Sequence, residues 1–208
     1  MKKPKDPISS YTHFGAMLTA IVVSPFVIYK GVIDNNLFPA IVYLLSLITL
    51  FAASSIYHFF KTDALKKFDH CSIFFLIAGS YTPFCLITLK GKTGTILLVI
   101  IWTLALLGTV FKLFFVHCPR FVSSIIYIAM GWAVIFTLPD LIRNLSSMAM
   151  FLLVTGGVVY TVGGIIYALK PKLFKHEAKT GFGNHELFHI FVNVAALFHL
   201  LCIGIFII

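Results

Sequence analysis

The sequence is short of charge. Of its 208 residues only 11% are Asp, Glu, Lys or Arg, and only seven are acidic. An ordinary globular domain is about 25% charged and about 45–50% apolar. Here the apolar fraction is 60% and the mean hydropathy is +1.01. A water-soluble core is thereby excluded, and nearly all of the chain belongs in a bilayer. Cysteine is sparse too. Cys71, Cys85, Cys118 and Cys202 are scattered without C-x-x-C spacing, which argues against a disulfide framework. There is no internal repeat and no long linker, so residues 1–208 read as one transmembrane domain. No cleavable signal peptide is expected, because the polar start MKKPKD is followed by an apolar run too long for a signal h-region. The net charge of +9 does not point to nucleic acid. The basic residues sit in short loops between apolar runs, where they orient a membrane protein and meet anionic lipid headgroups.

What is present is a set of apolar runs. A spanning helix needs about 20 mostly apolar residues. Seven stretches qualify, near 12–32, 38–60, 71–89, 94–116, 121–141, 147–169 and 186–207. Backbone polar groups in hydrocarbon must be satisfied within the segment, and the runs do not alternate as barrel strands would, so each is read as a helix. The fold class is an all-α membrane protein with seven transmembrane helices. Of the 16 Lys and Arg residues, twelve fall on the side of the N-terminus and four (Lys30, Lys90, Lys92, Arg143) on the other. This asymmetry puts the N-terminus in the cytosol and the C-terminus outside, in a multi-pass protein of the cell membrane. The sequence sets no oligomeric state.

The acids and histidines show where chemistry could lie. Asp6, Asp34, Asp63, Asp140 and Glu177 are read as solvated residues of termini or loops. Asp69 opens the third helix and Glu186 the seventh. His58 closes the second helix; His185 and His189 open the seventh. By the topology, His58, Asp69, His185 and His189 share one layer near the cytosolic face, on three helices. Ser54 lies on the face of His58, one turn deeper. Ionisable groups at such depth are costly unless paired or bound. Three imidazoles with one open position make a catalytic zinc geometry. Asp69 could hold a water there and act as base, with Ser54 behind it. The plainer reading is that each histidine only hydrogen-bonds between helices.

The stretch GNHELFHIF contains H-E-x-x-H, the helix signature of a zinc protease. Membrane-embedded proteases of that kind take an aspartate ligand from another helix. Asp140, in LPDL, lies at the opposite end of the bilayer and cannot share the metal. Asp69 could, but it brings His58 with it, which makes a different site.

The same residues carry a resemblance. SYTHFG at 10–15, SSIYH at 54–58, DHCSIFFLIAGSYTPF at 69–84, MGW at 130–132, GGVVYTVGGIIYALK at 156–170 and HELFHIFVNVAALFH at 185–199 resemble the hemolysin III-type bacterial members of the progestin and adipoQ receptor family. The resemblance runs along nearly the whole chain. It implies seven helices and an intramembrane Zn2+ held by His58, His185 and His189. Asp69 would contact the water on the metal and Ser54 would support it. The departure is Glu186, where a small or neutral residue is expected.

Of the other residues, His199 is expected to be packed and hydrogen-bonded, too far along the helix to reach the metal. His13 has no role that its position defines, His70 is expected to face headgroups or a neighbour, and His117 and His176 are loop residues. Pro25 and Pro83 are expected to kink their spans, and Gly79 and Ser80 to allow close packing. Three functions fit: a zinc-dependent hydrolase of a lipid amide or ester, a receptor-like or lipid-homeostasis protein with structural zinc, and a pore-former. The partners are membrane lipids and a lipid-like substrate or ligand.

Overall fold

The structure is a computed structural model describing residues 4–171, 173, 174 and 182–208. Its elements are helical. They are α1 (Pro7–Ile33), α2 (Leu37–Phe60), α3 (Asp63–Pro83), α4 (Gly91–Phe114), α5 (Arg120–Trp132), α6 (Leu138–Asn144), α7 (Ser147–Leu169) and α8 (Asn184–Leu201). Helix α3 continues as a π-helical turn over Phe84–Thr88, and α8 as one over Cys202–Ile207. Helices α5 and α6, joined by a 3-10 segment over Ala133–Thr137, make one span. Among the described residues there are seven apolar helical segments long enough to cross a bilayer, so the chain is a multi-pass membrane protein.

Each boundary has a local cause. Lys61 and Lys170 end α2 and α7 in the left-handed conformation, with φ of 54° and 46°. Their N–H groups bond back to Tyr57 and Ile166. Thr62 and Ser146 start α3 and α7 by accepting from the N–H groups of Leu65 and Ala149. The Thr62 cap begins α3 six residues ahead of Asp69, which therefore lies in the second turn rather than opening the helix. The extra turn is polar, so it does not show in a hydropathy reading.

Helix α2 packs along both α1 and α3, α7 lies along α8, and α8 closes back against α1. In lipid such contacts need close backbones and paired polar groups rather than hydrophobicity. Gly79 supplies one approach: a Cβ there would overlap the Ser46 side chain of α2. Helices α1 and α2 exchange two hydrogen bonds, from the Ser10 hydroxyl to the Ser55 carbonyl and from the Ser55 hydroxyl to the Ser10 carbonyl, each 3.0 Å. The N–H groups of Asp6 and Lys5 extend this seam by donating to the carbonyls of His58 and Phe59. At the other end of the bundle, the Lys30 ammonium donates to the carbonyls of Gly204 and Ile205 in the last turn of the chain.

Two expectations need correction. Lys112 is not a loop residue: it lies in α4, is 1% exposed, and donates to Ser123 and Cys118. Without it the count of basic residues by side is eleven against four. The fifth span is not one continuous helix. Pro139, in the first turn of α6, lacks an N–H and crowds the Ile135 carbonyl inside the 3-10 segment that parts α5 from α6. Tyr81 of α3 satisfies the backbone freed there. Its hydroxyl accepts from the Val134 N–H at 2.8 Å and faces the carbonyls of Gly131 and Met130 at 2.7 and 3.0 Å. The four cysteines are free, as expected.

Tyr81→Phe removes that hydroxyl and leaves buried backbone groups unpaired. The expected loss is about 1–3 kcal/mol of stability, read as a lower unfolding temperature of the detergent-solubilised protein. An unchanged transition would mean that the broken span finds its partners elsewhere.

Candidate metal centre

At the end of the bundle holding the N-terminus, α2 presents His58 in its last turn and α8 presents His185 and His189 in its first two. The i, i+4 spacing puts the last two on one helix face. Their ring nitrogens, with that of His58, lie within 4.8 Å of one another. His185 Nε2 is 3.3 Å from His58 Nε2 and 3.2 Å from His189 Nε2. His58 and His189 are buried, at 1% and 2% exposure, and His185 is partly buried.

The outer nitrogens fix what the inner ones offer. His58 Nδ1 is 3.0 Å from Asp6 Oδ2. Asp6 also pairs with Lys61. Burial raises the Asp6 carboxyl, but hydrogen bonds from Lys61 and His58 outweigh this and hold it below the ordinary carboxylate value. A carboxylate only accepts, so a neutral His58 carries its proton on Nδ1 and turns the Nε2 lone pair inward. His189 Nδ1 is 2.8 Å from His13 Nε2, which permits the same arrangement. His185 Nδ1 has no hydrogen-bond partner.

Three convergent nitrogens cannot satisfy one another. A neutral ring has one N–H, and on His58 it is already used on Asp6. The group therefore suits a cation. Zinc–nitrogen bonds of about 2.0–2.1 Å at tetrahedral angles separate neighbouring nitrogens by about 3.3–3.4 Å, close to the two separations found here. This three-histidine group could bind a metal ion.

Ser54 lies one turn before His58 on α2, and Asp69 is not a member of the group. Both are buried, at 2% and 7% exposure. The Ser54 side chain is a neighbour of the Asp69 carboxylate. The Asp69 carboxylate is not one of the groups that converge with the three nitrogens. The Asp69 backbone carbonyl accepts from the Ser72 hydroxyl at 2.6 Å.

Glu186 does not act as the glutamate of a zinc protease. One carboxylate oxygen accepts from the Gly183 N–H at 2.9 Å and caps its own helix; the other accepts from the Ser9 hydroxyl at 3.3 Å. The departure from the family pattern is thus a helix cap. His199 is packed, as expected: its ring fills the space beside Gly156, with Nε2 3.3 Å from the Leu153 carbonyl. His70 is partly buried against neighbours, its carbonyl accepting from Tyr127. His117 lies 3.5 Å from Asp63 on the surface. His176 and Glu177 lie outside the described residues.

Asp6 and His13 are the residues that sequence reading missed. Asp6 reads as a solvated terminal acid, but it is turned inward. The available signal was spacing. Asp6 and His13 are seven residues apart, about two helical turns, which puts them on one face.

The geometry can now be set beside known proteins. The family model described as Haemolysin-III related matches residues 1–200. The chain belongs to this family. Hemolysin-3 of Bacillus cereus is 39% identical over 168 residues, covering 78% of this chain and 72% of that protein. The Hemolysin-3 homolog of Bacillus subtilis (strain 168) is 44% identical over 135 residues, 63% of each. The monocyte to macrophage differentiation factor of Homo sapiens is 27% identical over 200 residues, 91% of this chain and 79% of that protein. These relatives agree with a hemolysin III-type member of the progestin and adipoQ receptor family. No solved structure matches the chain.

As a cap, Glu186 is replaceable by Gln, which still accepts from the Gly183 N–H. Glu186→Gln is expected to unfold within a degree or two of the parent, whereas Glu186→Ala loses about 1 kcal/mol. Equal destabilisation by both would show that the charge, not the cap, is what α8 needs.

Proposed function

We propose that this hemolysin III-type protein is a zinc-dependent intramembrane hydrolase of a lipid amide or ester, with His58, His185 and His189 as the zinc ligands. The observation that carries the reading is the convergence of three Nε2 atoms, one of them held as a lone pair by a carboxylate, with buried Ser54 one turn from His58 and Asp69 as its neighbour. A closed structural zinc has four protein ligands; three with a neighbouring carboxylate fit a site that keeps a place for water and substrate.

When bound, the metal supplies Lewis acidity to a carbonyl and makes a coordinated water easier to deprotonate. The chain's own residues do the rest. Asp69 holds the attacking water and takes its proton, later returning it to the leaving group. Ser54 fixes the rotamer of Asp69 by its hydrogen bond. The substrate class follows from depth. The site lies at the membrane end of apolar helices, so a ceramide-like amide or an acyl ester entering from lipid suits it better than a peptide. The basic asymmetry of the loops supports a cytosolic N-terminus, a site facing that side, and residence in the cell membrane.

The non-catalytic alternative, a lipid-homeostasis protein braced by zinc, shares the ligands and differs at Asp69. Pore formation, which the name hemolysin suggests for the relatives, is less supported. It gives no role to three imidazole nitrogens that converge at one end of the bundle.

The purified protein is expected to hold one zinc per chain. His58→Ala, His185→Ala or His189→Ala removes most of it. Acid releases it as well, because the ligands bind as neutral imidazoles and protons compete for the same nitrogens as the pH falls. Asp69→Asn is expected to keep zinc and to lose roughly 10²–10⁴-fold in hydrolysis across a panel of ceramides and acyl lipids. Equal turnover by both forms, or none from either with zinc fully bound, would leave the structural alternative standing.

A further inference from the structure

The three histidines differ in what holds the nitrogen that faces away from the group. His58 has Asp6, His189 has His13, and His185 has no partner. The hold on His58 comes from outside the spanning helices, from the segment ahead of α1.

Asp6 occupies the N-cap position of α1, where an aspartate ordinarily turns back to accept from its own helix. It makes no such bond. Its carboxylate turns across to α2, to His58 and Lys61. The backbone fixes this register. The Asp6 N–H donates to the His58 carbonyl at 3.1 Å and the Lys5 N–H to the Phe59 carbonyl at 3.3 Å. Asp6 and His58 are therefore joined twice, once by backbone and once by side chain. The side-chain bond does three things. It selects the Nδ1–H tautomer, it fixes the rotation of the ring, and it leaves Nε2 more basic.

We propose that Asp6 is a positioning residue of the metal site, so that the segment before the first span is part of the zinc-binding apparatus; His13 does the same for His189. This rests on the zinc reading of the three-histidine group. The competing role for Asp6 is mechanical: its ion pair with Lys61 could merely pin the N-terminus to α2. The two roles separate by substitution, because Lys61→Met breaks the ion pair and leaves the bond to His58.

The test is zinc affinity of the full-length protein in detergent, by competition with a chromophoric chelator, with unfolding temperature of the metal-free protein measured alongside. Asp6→Ala is expected to weaken zinc about 10–100-fold, the range for loss of a partner behind a histidine ligand. Asp6→Asn should fall between Asp6→Ala and the parent, since its carbonyl still accepts from Nδ1–H. His13→Ala should weaken zinc comparably. Lys61→Met should lower the unfolding temperature as Asp6→Ala does but hold zinc within about twofold of the parent. With cobalt(II) in place of zinc, the visible bands should change in Asp6→Ala and not in Lys61→Met. Parent-like affinity in Asp6→Ala, or an equal loss in Lys61→Met, overturns the proposal and leaves the zinc reading intact. A parent protein that binds no zinc removes that reading, and this proposal with it.

Discussion

Three imidazole nitrogens crowded together at the end of an apolar bundle are the constraint on which the rest of the site depends. Each would be cheaper in water. Buried, they cannot be charged together, and they cannot all donate to one another. A cation shared by the three resolves this, since it takes their lone pairs and lets their protons point outward to Asp6 and His13. The group is one that could hold a metal ion.

Much of the scaffold can be read as support for that crowding. The serine pair between α1 and α2 brings the start of α1 beside the end of α2, which delivers Asp6 and His13 to His58 and His189. The cap supplied by Glu186 starts α8 where its first two turns present both histidines. Thr62 starts α3 early enough for Asp69 to sit inside the bundle against Ser54. Farther away, Tyr81 mends the broken fifth span and Lys30 closes the π-helical turn that follows α8. These are repairs to backbone in a medium that offers no water, and they hold the helices at fixed heights.

The spans were legible because apolar length in a bilayer is nearly decisive. The three histidines were legible because i, i+4 spacing and helix direction together bring them to one layer. What was hidden was hidden for physical reasons. Asp6 is polar, terminal and followed by proline, which is also how a solvated residue looks; only its contact with α2 gives it a task. The break in the fifth span lies just ahead of Pro139, where the Tyr81 hydroxyl enters the ladder, but a hydropathy reading passes over it because the residues around it stay apolar. Lys112 looks like loop charge until its ammonium is seen turned in upon Ser123 and Cys118. Glu186 offered a familiar four-letter signature, and the capping geometry gives it a plainer meaning.

The central claim is that three histidine nitrogens of this chain form the protein part of a zinc site. The most direct measurement is zinc-edge X-ray absorption on purified protein. The structure leads to a first shell of three nitrogens with one further light atom, at about 2.0–2.1 Å, with the outer-ring scattering of imidazoles and no sulfur. A sulfur shell, fewer than three imidazoles, or no tightly held metal would contradict it.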